Sequence, residues 1–146
     1  MKRPVITLAF TVLLLCLISE GSNVIHIVVA IRNIGLHAQT QPIPQSNLFK
    51  TGEATGLYRV SWYTVVTSTT ATSGAISGQL QYTDDDLGAE VMPFMSNVSA
   101  SQVGPSSGSA LFRAVKGTVA YSVAFDSNVN GTPTYNLHMT VERVAP

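Results

Sequence analysis

Charge is scarce in this 146-residue chain: Asp, Glu, Lys and Arg make up 11% of it, with formal net charge zero, where about 25% is usual. Counterion release from phosphates needs several Lys or Arg on one face, and no basic stripe is present, so nucleic acid is excluded as the expected partner. Cysteine is scarcer still. The single one, Cys16, lies inside the N-terminal apolar run, so neither a disulfide scaffold nor a thiol enzyme is expected. Beyond that N-terminal run, no stretch shows the 3.6-residue apolar period of a helix. What fills the polar positions instead is hydroxyl: 15 Ser and 15 Thr against 45% apolar residues. The apolar residues fall in alternating blocks, which excludes a disordered chain and predicts a neutral, hydroxyl-rich β surface.

The N-terminus reads as an address. Lys2 and Arg3 precede the apolar run Val5–Ile18, and the polar stretch Ser19–Asn23 follows. Fourteen residues suit a signal-peptide h-region and fall short of the roughly 20 that cross a bilayer. Residues 1–21 are therefore expected to be a signal peptide processed near Ser19-Glu20-Gly21. A lipoprotein signal at Cys16 is disfavoured by the Leu directly before it. The competing reading, an uncleaved anchor extended through Val24–Ile31, would place Glu20, Ser22 and Asn23 mid-membrane, which is costly. Removal of the segment leaves six basic residues against seven acidic ones.

Past the signal the chain reads as one all-β domain. Residues 22–55 contribute an N-terminal strand and an irregular segment to the sandwich, and residues 56–146 form its main body. Val24–Ile34 reads as a strand broken by Gly35, and Pro42 and Pro44 make Gln41–Gln45 irregular or an edge. Gly56–Thr69 is dense in aromatic and β-branched residues and gives the strongest strand signal. Further strands are expected at Ala75–Thr83, Ala89–Val98 (interrupted by Pro93), Ser109–Val115, Thr118–Phe125 and Pro133–Val144. Ser99–Gly108 reads as a loop, and Lys116-Gly117 as a tight turn. Period-two alternation predicts a core of Tyr58, Val60, Trp62, Leu111, Val119, Tyr121, Val123, Leu137, Met139 and Val141. About eight short strands with a turn signal every dozen residues predict an antiparallel β-sandwich or jelly roll.

Two blocks carry a family likeness. Gly56-Leu57-Tyr58-Arg59-Val60-Ser61-Trp62 resembles the Gly-x-Tyr-x-Phe/Val-x-aromatic strand of C1q-type domains. Ser107-Gly108-Ser109-Ala110-Leu111-Phe112-Arg113-Ala114-Val115-Lys116-Gly117-Thr118-Val119 resembles their Ser-Gly-x-Ala-x-Leu-x-Leu-x-x-Gly-Asp-x-Val block. Thr118 stands where the family has Asp, and no collagen-like stalk precedes the domain. The resemblance covers residues 48–144 and implies a C1q/TNF-like jelly roll assembled as a homotrimer, of the stalkless type met in bacterial surface layers and phage structural proteins. It implies a non-catalytic structural or adhesive role on a cell surface or virion, with itself and an unknown surface ligand as partners. No membrane contact is expected beyond the signal segment.

The face of Gly56–Thr69 opposite the expected core carries Leu57, Tyr63 and Val65 beside Arg59 and Ser61. A sheet wetted on that side reads more uniformly polar. These three residues and His138 are accordingly the candidate oligomer interface. The remaining motifs have blander readings. Gly104-Pro105-Ser106-Ser107-Gly108 matches the G-x-S-x-G elbow of serine hydrolases, which needs a strand turning into a helix; a Ser106 hydrolase is the least favoured alternative, behind a monomeric carbohydrate- or protein-binding sandwich. No catalytic residue and no cofactor are assigned. His26, His37 and His138 sit on separate segments without ligand spacing. Asp84-Asp85-Asp86 offers oxygens to Ca²⁺, but such runs are ordinary turn chemistry. Asn97-Val98-Ser99 and Asn130-Gly131-Thr132 match the glycosylation sequon.

Overall fold

Strand-forming sequence dominates the computed structural model, which describes residues 29–51 and 55–145. The expected signal segment and its processing site, Cys16, His26, residues 24–28 of the expected first strand and residues 52–54 lie outside the described residues. Among the described residues eight strands follow in order: β1 (Val29–Gln39), β2 (Ile43–Thr51), β3 (Gly56–Thr69), β4 (Ala75–Asp84), β5 (Gly88–Ser99), β6 (Gly104–Ala114), β7 (Gly117–Phe125) and β8 (Pro133–Ala145). They form two four-stranded sheets, ordered β1-β8-β3-β6 (sheet A) and β2-β7-β4-β5 (sheet B), with every pairing antiparallel.

That order has a simple origin. Strand β4 pairs β5, β3 pairs β6, β2 pairs β7 and β1 pairs β8. The chain is thus one long hairpin folded at the β4–β5 turn and rolled up, so that successive rungs fall alternately in one sheet and the other. This is the jelly-roll solution to burying two apolar sheet faces. The turn at its centre is set by Asp84, whose Oδ1 accepts from the amides of Asp86 (2.9 Å) and Leu87 (3.2 Å). Gly88 follows at φ 83°, in a region that favours glycine.

The core lies between the sheets. From sheet A come Tyr58, Val60, Trp62, Val66, Phe112, Tyr135, Leu137, Met139 and Val141; from sheet B come Leu48, Ile76, Leu80, Met95, Val119, Tyr121 and Val123. Thr64 interrupts the apolar row of β3 yet is fully buried, because its hydroxyl donates to the Asn136 carbonyl at 2.7 Å, satisfying the group that burial would otherwise penalise. Trp62 fits because its β6 neighbour is Gly108: a β carbon there would stand 2.9 Å from the indole Nε1. Tyr135 donates to the Gln41 carbonyl at 3.1 Å, and burial pushes its phenol up to about 12.

Several expectations are corrected. Leu111 is 58% exposed, and Phe112 and Ala114 take its place in the core. In an Ala-Leu-Phe-Arg-Ala run either parity is possible, and pairing with β3 decides it by setting Phe112 opposite buried Tyr58. Gly104–Gly108 is not a loop but the first half of β6, templated by Val66 through Trp62 of β3. Lys116-Gly117 does not close a hairpin; it carries the chain from sheet A to sheet B. Gly35 does not end β1, which continues to Gln39. Pro93 does not interrupt β5, an edge strand where a missing N–H is tolerated.

Candidate functional site: the outer face of sheet A

Alternation that sends Tyr58, Val60 and Trp62 inward sends Leu57, Arg59, Ser61, Tyr63 and Val65 to the outer face of sheet A. Pairing then fixes their neighbours. Tyr63 lies opposite His138 of β8 on one side and Ser107 of β6 on the other; Arg59 lies opposite Glu142 and Leu111; Leu57 lies opposite Arg113 on β6.

Three kinds of surface result. At one end, Leu111 is 58% exposed next to half-buried Leu57. In the middle, Arg59 Nε and Nη2 both donate to Glu142 Oε2, at 2.9 and 2.6 Å, so the charges on this rung cancel locally. Arg113, nearby, pairs with Asp85 at 3.7 Å. At the other end is a cluster of rings: Tyr63, 47% exposed, tilts toward His138 with ring centroids 6.3 Å apart, and His138 meets His37 edge-on at 5.1 Å.

His37 joins that cluster from β1. Gly35 lies opposite His138, and alternation puts residue 37 on the same face as residue 35. A bulge then falls at His37 itself: Leu36 pairs Leu137 and Gln39 pairs Tyr135, leaving one extra residue on β1. Ala38 takes φ 51°, uncommon for a residue with a β carbon, and its amide donates to Asn136 Oδ1 at 2.8 Å. Gln39 Nε2 donates to the His37 carbonyl at 2.7 Å. A bulge of this kind re-aims a side chain, and here the re-aimed ring is the one that meets His138 across the bare backbone of Gly35.

Of the four interface candidates, the fold therefore brings Tyr63 and His138 into direct neighbourhood, with half-buried Val65 one outward position along β3. Leu57 stands apart, beyond the Ser61 and Arg59 rungs, with Leu111. Sequence reasoning misses Leu111, which it places in the core, and His37, which it reads as isolated. The exposed Leu of the Leu111-Phe112 pair is recoverable only once the partner strand is known.

Ser106 sits in β6 opposite Thr64, on strand backbone and not on a strand-to-helix elbow. It lines a shallow cavity of about 220 Å³ with Asn97, Ser99 and Gln102, whose side chains supply amides and hydroxyls. Asn97 sits in a β5 bulge at φ 55°. Among the described residues no group of three or more His, Cys, Asp or Glu is arranged to hold a metal, and no helix is long and apolar enough to cross a membrane.

No protein-family model matches the chain, and no curated protein does at a significant level. Solved structures do show likeness. One is a chain of the CBM22-1 and GH10 modules of Clostridium thermocellum xylanase 10B, complexed with xylohexaose, at 14% identity and TM-score 0.44 over 80% of this chain. The alignment spans a quarter (25%) of that longer chain. Another is a pilus protein of Bacillus endospore appendages, from a family of disulfide-linked pili, at 10% identity and TM-score 0.32, covering 82% of this chain and 89% of that one.

Proposed function

We propose that this protein is an exported, non-catalytic structural or adhesive module of a cell surface or virion that assembles with two further copies of itself through the outer face of sheet A. The observation that carries the reading is that face's combination of exposed apolar side chains with cancelled charge. Leu111 and Tyr63 are 58% and 47% exposed, Leu57 and Val65 flank them half-buried, and the Arg59–Glu142 pair between them is already satisfied within one chain. Copies meeting there bury apolar area without opposing like charges, and closed rotational symmetry is the usual way such a face is used up. The C1q-like sequence blocks support three as the number. The basic-then-apolar N-terminus supports export.

Light scattering of the purified domain at neutral pH tests assembly. The wild type is expected at three times the chain mass, and Leu111→Asp at the mass of one. A wild type that stays monomeric at high concentration removes the trimer. Mass spectrometry of exported material tests processing near residues 19–22, and a product beginning at Met1 would sink it. Ser106→Ala is expected to leave the biological activity unchanged, because the residue lies on paired strand backbone; covalent labelling of Ser106 by a fluorophosphonate probe would overturn the non-catalytic reading.

A second reading has its own observation. An exposed Tyr63 ring beside His138 is a surface on which a flat, weakly polar ligand such as a sugar ring can stack, which a monomeric carbohydrate-binding sandwich would use. In that case Tyr63→Ala abolishes glycan binding while the wild type scatters as a monomer.

A further inference from the structure

We infer that His37 and His138 form a cross-strand, two-imidazole site for a divalent transition-metal ion, seated in the hollow above Gly35. The two histidines belong to different strands, β1 and β8, and are 101 positions apart in the sequence numbering, so only the fold joins them. Gly35 lies opposite His138 in the β1–β8 register. The point that a β carbon of residue 35 would occupy stands 3.5 Å from His138 Nδ1 and 3.8 Å from His37 Nε2. Both donor nitrogens thus border one hollow that no side chain fills among the described residues. Both rings belong to exposed residues, and the site requires side-chain rotations that carry each nitrogen to the roughly 2.0–2.1 Å of a metal–imidazole bond.

The backbone is arranged around this meeting of rings. In a regular strand His37 would lie squarely opposite Asn136, one outward position from His138. The bulge instead sets His37 and Ala38 together across from Asn136, holds Ala38 in a left-handed conformation and ties the Ala38 amide to Asn136 Oδ1. Backbone held in such a sparsely populated region persists only where surroundings over-determine it, and such positions cluster at functional sites. Asn136 therefore acts as a positioning residue, holding the piece of chain that aims one ligand.

Two imidazoles set the class of ion. Nitrogen donors without a carboxylate select transition metals over Ca²⁺ or Mg²⁺, and the order of affinity should place Cu²⁺ above Zn²⁺ and Zn²⁺ above Mn²⁺. The remaining coordination positions fall to water or to a donor from whatever meets this face. Because both ligands come from one chain, the site goes beyond self-association and does not rest on it.

The test uses tag-free full-length protein titrated with Cu²⁺ and with Zn²⁺ by calorimetry in a non-coordinating buffer, with electron paramagnetic resonance of the Cu²⁺ complex. The expected result is one ion per chain with nitrogen hyperfine structure. His37→Ala and His138→Ala should each weaken binding by about tenfold or more, and Asn136→Ala by about tenfold, the usual effect of removing a residue that supports a ligand. Gly35→Ala keeps both ligands and meets only ordinary van der Waals distances, yet fills the hollow, and should weaken binding without changing the circular dichroism spectrum. His26→Ala should change nothing. Absence of saturable binding, binding that survives the double variant His37→Ala/His138→Ala, or binding lost on His26→Ala alone would each overturn the site.

Discussion

The two faces of sheet A are built from the same strands, residue by alternate residue, and differ in how their rings are used. Inside, Tyr58, Trp62, Phe112 and Tyr135 are almost wholly removed from water, with Tyr58 and Phe112 stacked at 5.5 Å. Outside, Tyr63, His138 and His37 stand side by side in a short row open to solvent. Trp62 and Tyr63 are adjacent in sequence, yet one is part of the core and the other part of the surface. Aromatic content alone therefore says little about a sheet; parity says which rings stabilise the fold and which remain available to a partner.

The sharpest way to break this contrast is at that adjacent pair. Trp62→Ala removes an indole 9% exposed and should cost about 3–5 kcal/mol of stability, measured by urea denaturation. Tyr63→Ala should stay within about 0.5 kcal/mol by the same measurement under conditions where the chain is monomeric, while weakening self-association in light scattering. A cost under about 1 kcal/mol for Trp62→Ala would mean that the face assignment is inverted.

The next pair asks the same question where sequence alone misleads. Phe112→Ala should again cost about 3–5 kcal/mol, and Leu111→Ala should be close to neutral for a single chain. Equal losses at both positions would restore Leu111 to the core.

A third prediction uses pH. The buried Tyr135 phenol is raised from 10.0 to about 12 by burial first and by Tyr121 second. The folded state therefore holds this proton more tightly than the unfolded state, so its contribution to stability is complete below pH 10 and is lost as pH rises through 12. Stability should fall across that window, and more shallowly in Tyr135→Phe, which at neutral pH loses about 0.5–1.5 kcal/mol with the hydrogen bond to Gln41. Denaturant midpoints taken at successive alkaline pH values read the slope; identical slopes for both proteins would remove the assignment. The smallest effect belongs to the outer rung. Glu142→Gln breaks a pair whose side chains are 41% and 23% exposed, and should cost about 0–1 kcal/mol, less at high salt.

What the sequence makes legible follows from range. Strand β3 is legible to the residue, and so are the buried rows of β7 and β8, because period two needs only near neighbours in sequence. Phe112 is not, since two adjacent apolar residues fit either parity until β3 lies alongside. The first half of β6 is hidden behind its Gly and Ser content; a fourteen-residue β3 offers backbone partners to residues of low strand propensity, and tertiary pairing overrides that propensity. Of the candidate site, Leu57, Tyr63 and Val65 are visible as apolar residues on the wrong parity for a wetted face. The meeting of His37 with His138 is not, because it depends on the β1–β8 pairing, on the register that sets Gly35 opposite His138, and on a bulge where an alanine, and not a glycine, takes the positive φ.

The β1–β8 pairing also has a mechanical consequence. Val29 at the start of β1 lies opposite Arg143 near the end of β8, and among the described residues β1 is an edge strand held on one side only. A pull that separates these two points loads the hydrogen bonds of the pair in succession and not together, so the sheet opens like a zip at low force. A domain of this fold stressed between Val29 and Arg143 would yield early by releasing β1 from the Val29 end. The paired imidazoles lie near the far end of that zip, where an ion bridging them would act as its stop.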